Sequence, residues 1–164
     1  MQSSPWPKGG GGEGSGGGGG GISVHHHGVH QVGTPYYDGT QNIAQPGLSS
    51  GQTMTYEFRA WPAGTHWYHS HTGLTEGDGL KGMFIVEDPR GPWGPFYSVD
   101  QELMFYEWYD APAEEYWVEK SMAPSAPQDF PNGVVNGIVS RGAHGATAGF
   151  TFEVGHGRAA RLRL

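Results

Sequence analysis

The sequence predicts an all-β protein, and three observations point there. Glycine is abundant: 30 of 164 residues, of which eleven lie in the thirteen-residue tract Gly9 to Gly21. The 19 in the remaining 151 residues are still more than average usage, as in a turn-rich β protein. Thr53 to Arg59 alternates, with Met54, Tyr56 and Phe58 on one face and Thr53, Thr55, Glu57 and Arg59 on the other. Met83-Phe84-Ile85-Val86 is a continuous apolar run that follows a Gly-rich loop, the pattern of a buried strand.

In chain order, residues 1–21 read as low complexity and disordered, because a Gly-rich run has too little apolar surface to offset its ordering entropy. Ile22 to Gln31 is a strand candidate, and Asp38-Gly39 is a tight turn. Thr53 to Arg59 is the next strand, Pro62-Ala63-Gly64 a turn, and His66 to His71 a second short strand. A loop through Gly73, Gly77, Gly79 and Gly82 leads into Met83 to Val86. The Pro/Gly-rich stretch from Pro89 to Pro95 breaks the composition, and residues 91–99 read as a linker. Leu103 to Tyr109 reads as a strand, Ala113 to Lys120 as a short helix and Pro124 to Gly133 as loop. Phe150 to Val154 and Ala159 to Leu164 read as a strand pair around Gly155-His156-Gly157. The last four residues, Arg161-Leu162-Arg163-Leu164, still alternate, which predicts truncation within a strand.

Composition excludes several functions. There is no Cys, so disulfide scaffolds, thiolate nucleophiles and thiolate metal sites are out. The net charge is −7 with no basic block, which argues against a nucleic-acid partner. No apolar run approaches the ~20 residues of a membrane span, and the first residues lack the apolar core of a signal peptide.

The nine His carry the chemistry. His25-His26-His27 and His69-Ser70-His71 each contain a His-x-His pair. Residues two apart on a strand share a face, roughly 6.6 Å apart along it. His25 and His27 therefore face one way and His26 the other, while His69 and His71 share a face. Two such pairs on neighbouring strands would converge four neutral imidazoles, donors suited to Cu, Zn, Fe or Ni. Either pair alone also fits the polar face of an amphipathic strand, and the triplet fits a solvated or tag-like run. Spacing alone does not choose the metal. His30 follows a glycine that blurs its direction, and His144 and His156 lie in Gly-rich loops that favour exposure. The aromatic segment Tyr106, Trp108, Tyr109, Tyr116 and Trp117 reads as core packing or an unpaired interface patch rather than a substrate site.

The stretch from Val24 to Pro89 resembles the first, plastocyanin-like domain of multicopper oxidases of the laccase and ascorbate-oxidase type. The residues that carry the resemblance are His25-His26-His27-Gly28, Gly33-Thr34-Pro35, Asp38-Gly39, Pro46-Gly47, Gly64 to His71, Gly79-Leu80-Lys81-Gly82 and Phe84-Ile85-Val86. Asn132 to Gly137 and Phe150 to Leu164 look like the opening of the family's second domain, a weaker match.

The resemblance implies an incomplete cupredoxin-like Greek-key sandwich or barrel over residues 22–90, then a partial second plastocyanin-like domain over residues 100–164. It implies a copper-binding fragment whose parent couples one-electron oxidation of phenol-like donors to reduction of dioxygen to water. It implies type 2 and type 3 copper, with His25 on the type 2 ion, His27 and His69 sharing one type 3 ion and His71 on the other. Asp38 matches an acidic residue that assists proton delivery in relatives. Its other reading is simply an Asp-Gly turn. His26 stands where Trp is common and His66 where an aromatic is common, so the side chains packed at these two positions differ from the family's. The family's other two His pairs and its Cys-bearing type 1 segment lie in a last domain missing from this sequence. Its partners would be copper ions and the missing domains. The family is mostly secreted, although this chain shows no export signal. A non-catalytic copper-binding β module and a metal-free structural β domain are the alternative readings.

Overall fold

The computed structural model describes residues 21–92, 94–122, 132–140 and 149–164. Three antiparallel strands form the first sheet: β1 (Val24–His27), β2 (Gly64–Ser70) and β3 (Lys81–Val86), in the order β1-β2-β3. β4 (Val99–Glu102) is followed by β5 (Phe105–Trp108), helix α1 (Ala113–Met122), β6 (Asn132–Val135), β7 (Ile138–Ser140) and β8 (Ala160–Arg163). β5-β6-β7 make a second antiparallel sheet, and β4 pairs with β8 in parallel. Strands thus dominate the regular secondary structure of the described residues, with one α-helix and no closed barrel among them.

β1 is shorter than the sequence suggests. Gly28 at φ 90° takes the chain out of the strand, and Ile22 makes only an isolated bridge to Leu48. The larger departure is Thr53 to Arg59, which pairs with no strand among the described residues. Its alternation nevertheless survives: Met54, Tyr56 and Phe58 are half-buried, while Thr53, Thr55, Glu57 and Arg59 are exposed. Side chains hold it in place of a ladder. Tyr56 Oη accepts from the Val24 amide at 3.2 Å and donates to Gln45 Oε1 at 2.8 Å.

On the β2/β3 pair, Gly82 lies opposite Tyr68. A Cβ built at Gly82 would meet Tyr68 Oη at 2.5 Å, so the missing side chain is what lets the ring lie across the neighbouring strand. β6 and β7 are joined by Asn136 (φ 49°) and Gly137 (φ 84°), positive φ at both positions as a two-residue hairpin demands. Asn132 and Gly133, expected as loop, belong to β6 because they pair with Trp108 and Glu107. The rest of that expected loop, His144 and residues 1–20 lie outside the described residues.

The expected hairpin between Phe150–Val154 and the last strand is absent. Residues 150–154 form no strand, and β8 lies instead along β4. The reason is ionic: Arg161 and Arg163, two apart on β8 and so on one face, both bind the Asp100 carboxylate on β4. α1 carries Glu114 and Glu115 in its first turn and Lys120 in its last, complementing the helix dipole. Its N-terminus is capped from the first sheet's loop, where Asp78 Oδ1 accepts from the Ala113 amide at 2.8 Å.

Buried apolar residues are sparse among the described residues: Val29, Leu103, Ala113 and Val134. Buried polar residues, including Ser23, Gln45, His69 and Ser70, are as prominent. Several large apolar side chains stay exposed, among them Trp117 at 64% and Met122 at 82%.

Candidate metal centre

The ladder register assembles the site. Val24↔Ser70, His25↔His69, His26↔Tyr68 and His27↔Trp67 face one another across β1 and β2. Paired residues share a face, so His25, His27, Trp67 and His69 stand on one side of the sheet and His26 and Tyr68 on the other. His71 follows the last residue of β2, where its amide donates to the Ser23 carbonyl at 3.1 Å.

The four imidazoles form one cluster. Ring centroids lie 5.3 Å apart for His25–His27, 5.4 Å for His25–His69, 5.5 Å for His25–His71 and 5.9 Å for His69–His71. One donor atom from each of His25, His27 and His69 fits within 4.8 Å of the others. His27 Nδ1 and His69 Nε2 approach to 3.3 Å.

Tautomers follow from the hydrogen bonds, since a carbonyl can only accept. His25 Nδ1–H donates to the Asp38 carbonyl at 2.6 Å, with the Asp38 carboxylate 3.4 Å away. His69 Nδ1–H donates to the Ser70 carbonyl at 2.9 Å, with the Glu76 carboxylate at 3.6 Å. Nε2 of each ring is thereby left with its lone pair. Burial pushes the His69 imidazole below its ordinary pKa, against the opposing effects of the Ser70 carbonyl and Glu76, and the neighbouring His25 and His27 lower it further. A ring so biased toward neutrality is a competent ligand at neutral pH. Trp67 stacks on both partners, 4.1 Å from the His69 ring and 5.1 Å from the His27 ring, and fixes their planes.

Among the described residues, the other histidines stand outside the cluster. His26 sits among Phe58 (4.7 Å), Tyr56 (5.3 Å) and Phe84 (5.5 Å), its Nδ1 buried with no hydrogen-bond partner. Burial, then the His25 charge, lowers its pKa. His66 Nε2–H donates to the Pro62 carbonyl at 2.8 Å, and its ring lies over Gly28. His30 makes an edge contact with Trp61, and His156 is exposed in a turn. Sequence reasoning missed Glu76. It stands in a loop with no periodicity to aim it, and its charge so close after His71 was the one available signal.

The family model described as "Multicopper oxidase" matches residues 20–91, the segment that holds all four clustered histidines. Residues 20–91 are a multicopper oxidase domain. Laccase-2 of Trametes versicolor is 35% identical over 147 residues, which is 87% of this chain and 27% of that protein. The L-ascorbate oxidase of Nicotiana tabacum is 38% identical over 104 residues, 63% of this chain and 18% of that protein. Among solved structures, Fet3p, a multicopper oxidase that functions in iron import, superposes with TM-score 0.61 at 34% identity, covering 71% of this chain and 22% of that one. The laccase from Botrytis aclada gives TM-score 0.60 at 34% identity, covering 71% and 21%. The chain thus spans about a quarter or less of the length of these relatives.

The multicopper oxidase domain is cupredoxin-like, and as described it is an incomplete all-β example. Membership implies copper as the cofactor. The side chains fit that ion: every clustered donor is an imidazole, two are locked with Nε2 free, and three converge within 4.8 Å. No helix among the described residues is long and apolar enough to cross a membrane.

Proposed function

We propose that residues 22–90 supply a histidine half-site for the copper cluster of a laccase-like multicopper oxidase. In this reading His25 holds a type 2 copper, His27 and His69 share one type 3 copper, and His71 binds the other. The observation that carries it is the 3.3 Å approach of His27 Nδ1 to His69 Nε2 between strands about forty residues apart in sequence. The metal-free structural reading is disfavoured by the same clustering, because unpaired imidazoles gain little from being gathered on one face.

Bound copper would supply the redox chemistry, passing electrons from a phenol-like donor to dioxygen. The chain's own residues do the rest. The Asp38 carbonyl and the Ser70 carbonyl orient His25 and His69. In this reading the Asp38 carboxylate, 3.4 Å from His25 Nδ1, assists proton delivery at the cluster. These 164 residues contain no Cys and so no thiolate ligand for a type 1 copper. We assign residues 91–99 to a linker and residues 100–164 to the start of a second plastocyanin-like domain. Turnover therefore belongs to an assembly with further domains, and the isolated chain should show little.

Elemental analysis tests the half-site. The purified chain should take up copper, and a His69→Ala/His71→Ala variant should hold markedly less. Equal copper in both would refute the assignment.

A further inference from the structure

Two charged side chains stand beside the cluster without belonging to it. Lys81 is the ladder partner of His69, so its side chain rises from the same face of the sheet. That side chain is only 10% exposed, with its ammonium 5.5 Å from the centre of the Tyr106 ring. Glu76 arches over from the loop between β2 and β3. Its Oε1 lies 3.6 Å from Lys81 Nζ and its Oε2 lies 3.6 Å from His69 Nδ1. One carboxylate thus bridges a buried cation and a clustered imidazole.

The arrangement has a physical reason. A shielded ammonium opposes any metal cation nearby. A carboxylate between them cancels that field. It also reinforces the Nδ1–H orientation already set by the Ser70 carbonyl, which turns His69 Nε2 toward the cluster.

We propose that Glu76 is a positioning residue for the histidine cluster, neutralising the Lys81 ammonium and holding His69 with Nε2 turned toward His27. The inference rests on the copper reading above. It adds a specific demand: because the Ser70 carbonyl already orients His69, most of the need for Glu76 comes from Lys81, and removing Lys81 removes most of that need.

The test uses the full 164-residue chain and Cu(II) alone, with affinity read by competition against a chromogenic chelator and folding followed by circular dichroism. Glu76→Gln should weaken copper binding about tenfold, the usual scale for a group that orients a ligand. Lys81→Met alone should tighten it at least about threefold, since it leaves an unopposed carboxylate beside the cluster. The double variant should return to within about threefold of the unaltered chain, a rescue no purely structural role of Glu76 would give. Glu76→Gln binding as tightly as the unaltered chain would overturn the inference, as would a double variant no tighter than Glu76→Gln. Should Glu76→Gln fail to fold, Lys81→Met decides alone, and weakened binding there refutes the charge argument. An unaltered chain that takes up no copper would instead overturn the copper reading itself, and this inference with it.

Discussion

His25 and Asp38 are joined through the backbone: His25 Nδ1–H donates to the Asp38 carbonyl at 2.6 Å, while the carboxylate stands farther off at 3.4 Å. Orientation of the ring and the chemistry of the acid are therefore separable. Asp38→Asn keeps the carbonyl, so copper affinity should stay within about threefold of the unaltered chain. Gly39→Ala should do the opposite. Gly39 is buried at φ 82°, and an added Cβ would collide with the Val24 carbonyl and the His25 amide. The turn must shift, taking the Asp38 carbonyl with it. A loss of about 1–3 kcal/mol in stability and at least about tenfold in copper affinity is expected. Thermal melts and chelator competition on the two variants check both halves.

Much of this site was legible in the sequence because strand geometry is simple. A period of two puts His25 and His27 together and turns His26 away, and the register delivers that arrangement. The convergence of His69 onto His27 needed the pairing of β1 with β2, which the two spaced motifs suggest but periodicity cannot prove. The loop contributions were not legible. Glu76 acts from an irregular segment, and Asp38 acts through its carbonyl, a group every residue has. The fold diverged where local pattern met a distant partner. Thr53 to Arg59 kept its alternating burial but gained no ladder, and β8 chose Asp100 on β4 over the nearby residues 150–154.

Gly82 tests the packing of the face opposite the cluster. A Cβ there would sit 2.5 Å from Tyr68 Oη and 2.6 Å from the ring carbon that bears it. The Tyr68 ring lies across Gly82 and must move to admit that Cβ. Gly82→Ala should cost about 1–3 kcal/mol through overpacking. Gly133, in a strand but with open space around its Cβ, is the control, and its alanine variant should lose less. Chemical denaturation of the two variants side by side measures the difference.

His26 offers a stabilising change. Its Nδ1 is buried without a partner, and its ring lies among Tyr56, Phe58 and Phe84. An unsatisfied buried polar atom costs on the order of 1–3 kcal/mol. His26→Phe keeps a ring in an aromatic setting and removes that atom, so the chain should gain about 1 kcal/mol. His26 points away from the cluster, and copper stoichiometry should be unchanged. A fall in melting temperature would contradict the packing argument, and a loss of copper would contradict the facing.

Acid sensitivity should centre on Asp100. Hydrogen bonds from Arg161, then from Arg163, hold its carboxyl well below the ordinary carboxylate range. Arg163 reaches it through Nε at 2.9 Å and Nη2 at 3.0 Å, and also meets Glu87 at 2.5 Å, so the network ties β8 to β4 and to the residue after β3. A carboxyl depressed in the folded state binds its proton more tightly when unfolded. Its contribution to stability is thus complete above the ordinary value near 3.8 and is lost as pH falls below it. Asp100 is partly exposed, so solvent screening reduces the gain to about 1 kcal/mol. Asp100→Asn should lower stability at pH 7 by that amount and flatten the decline between about pH 4 and pH 2. Parallel curves for the two proteins across that window would mean that another carboxylate governs acid unfolding. A greater loss at pH 7 would mean that Arg163, only 6% exposed, cannot keep its charge satisfied on Glu87 alone.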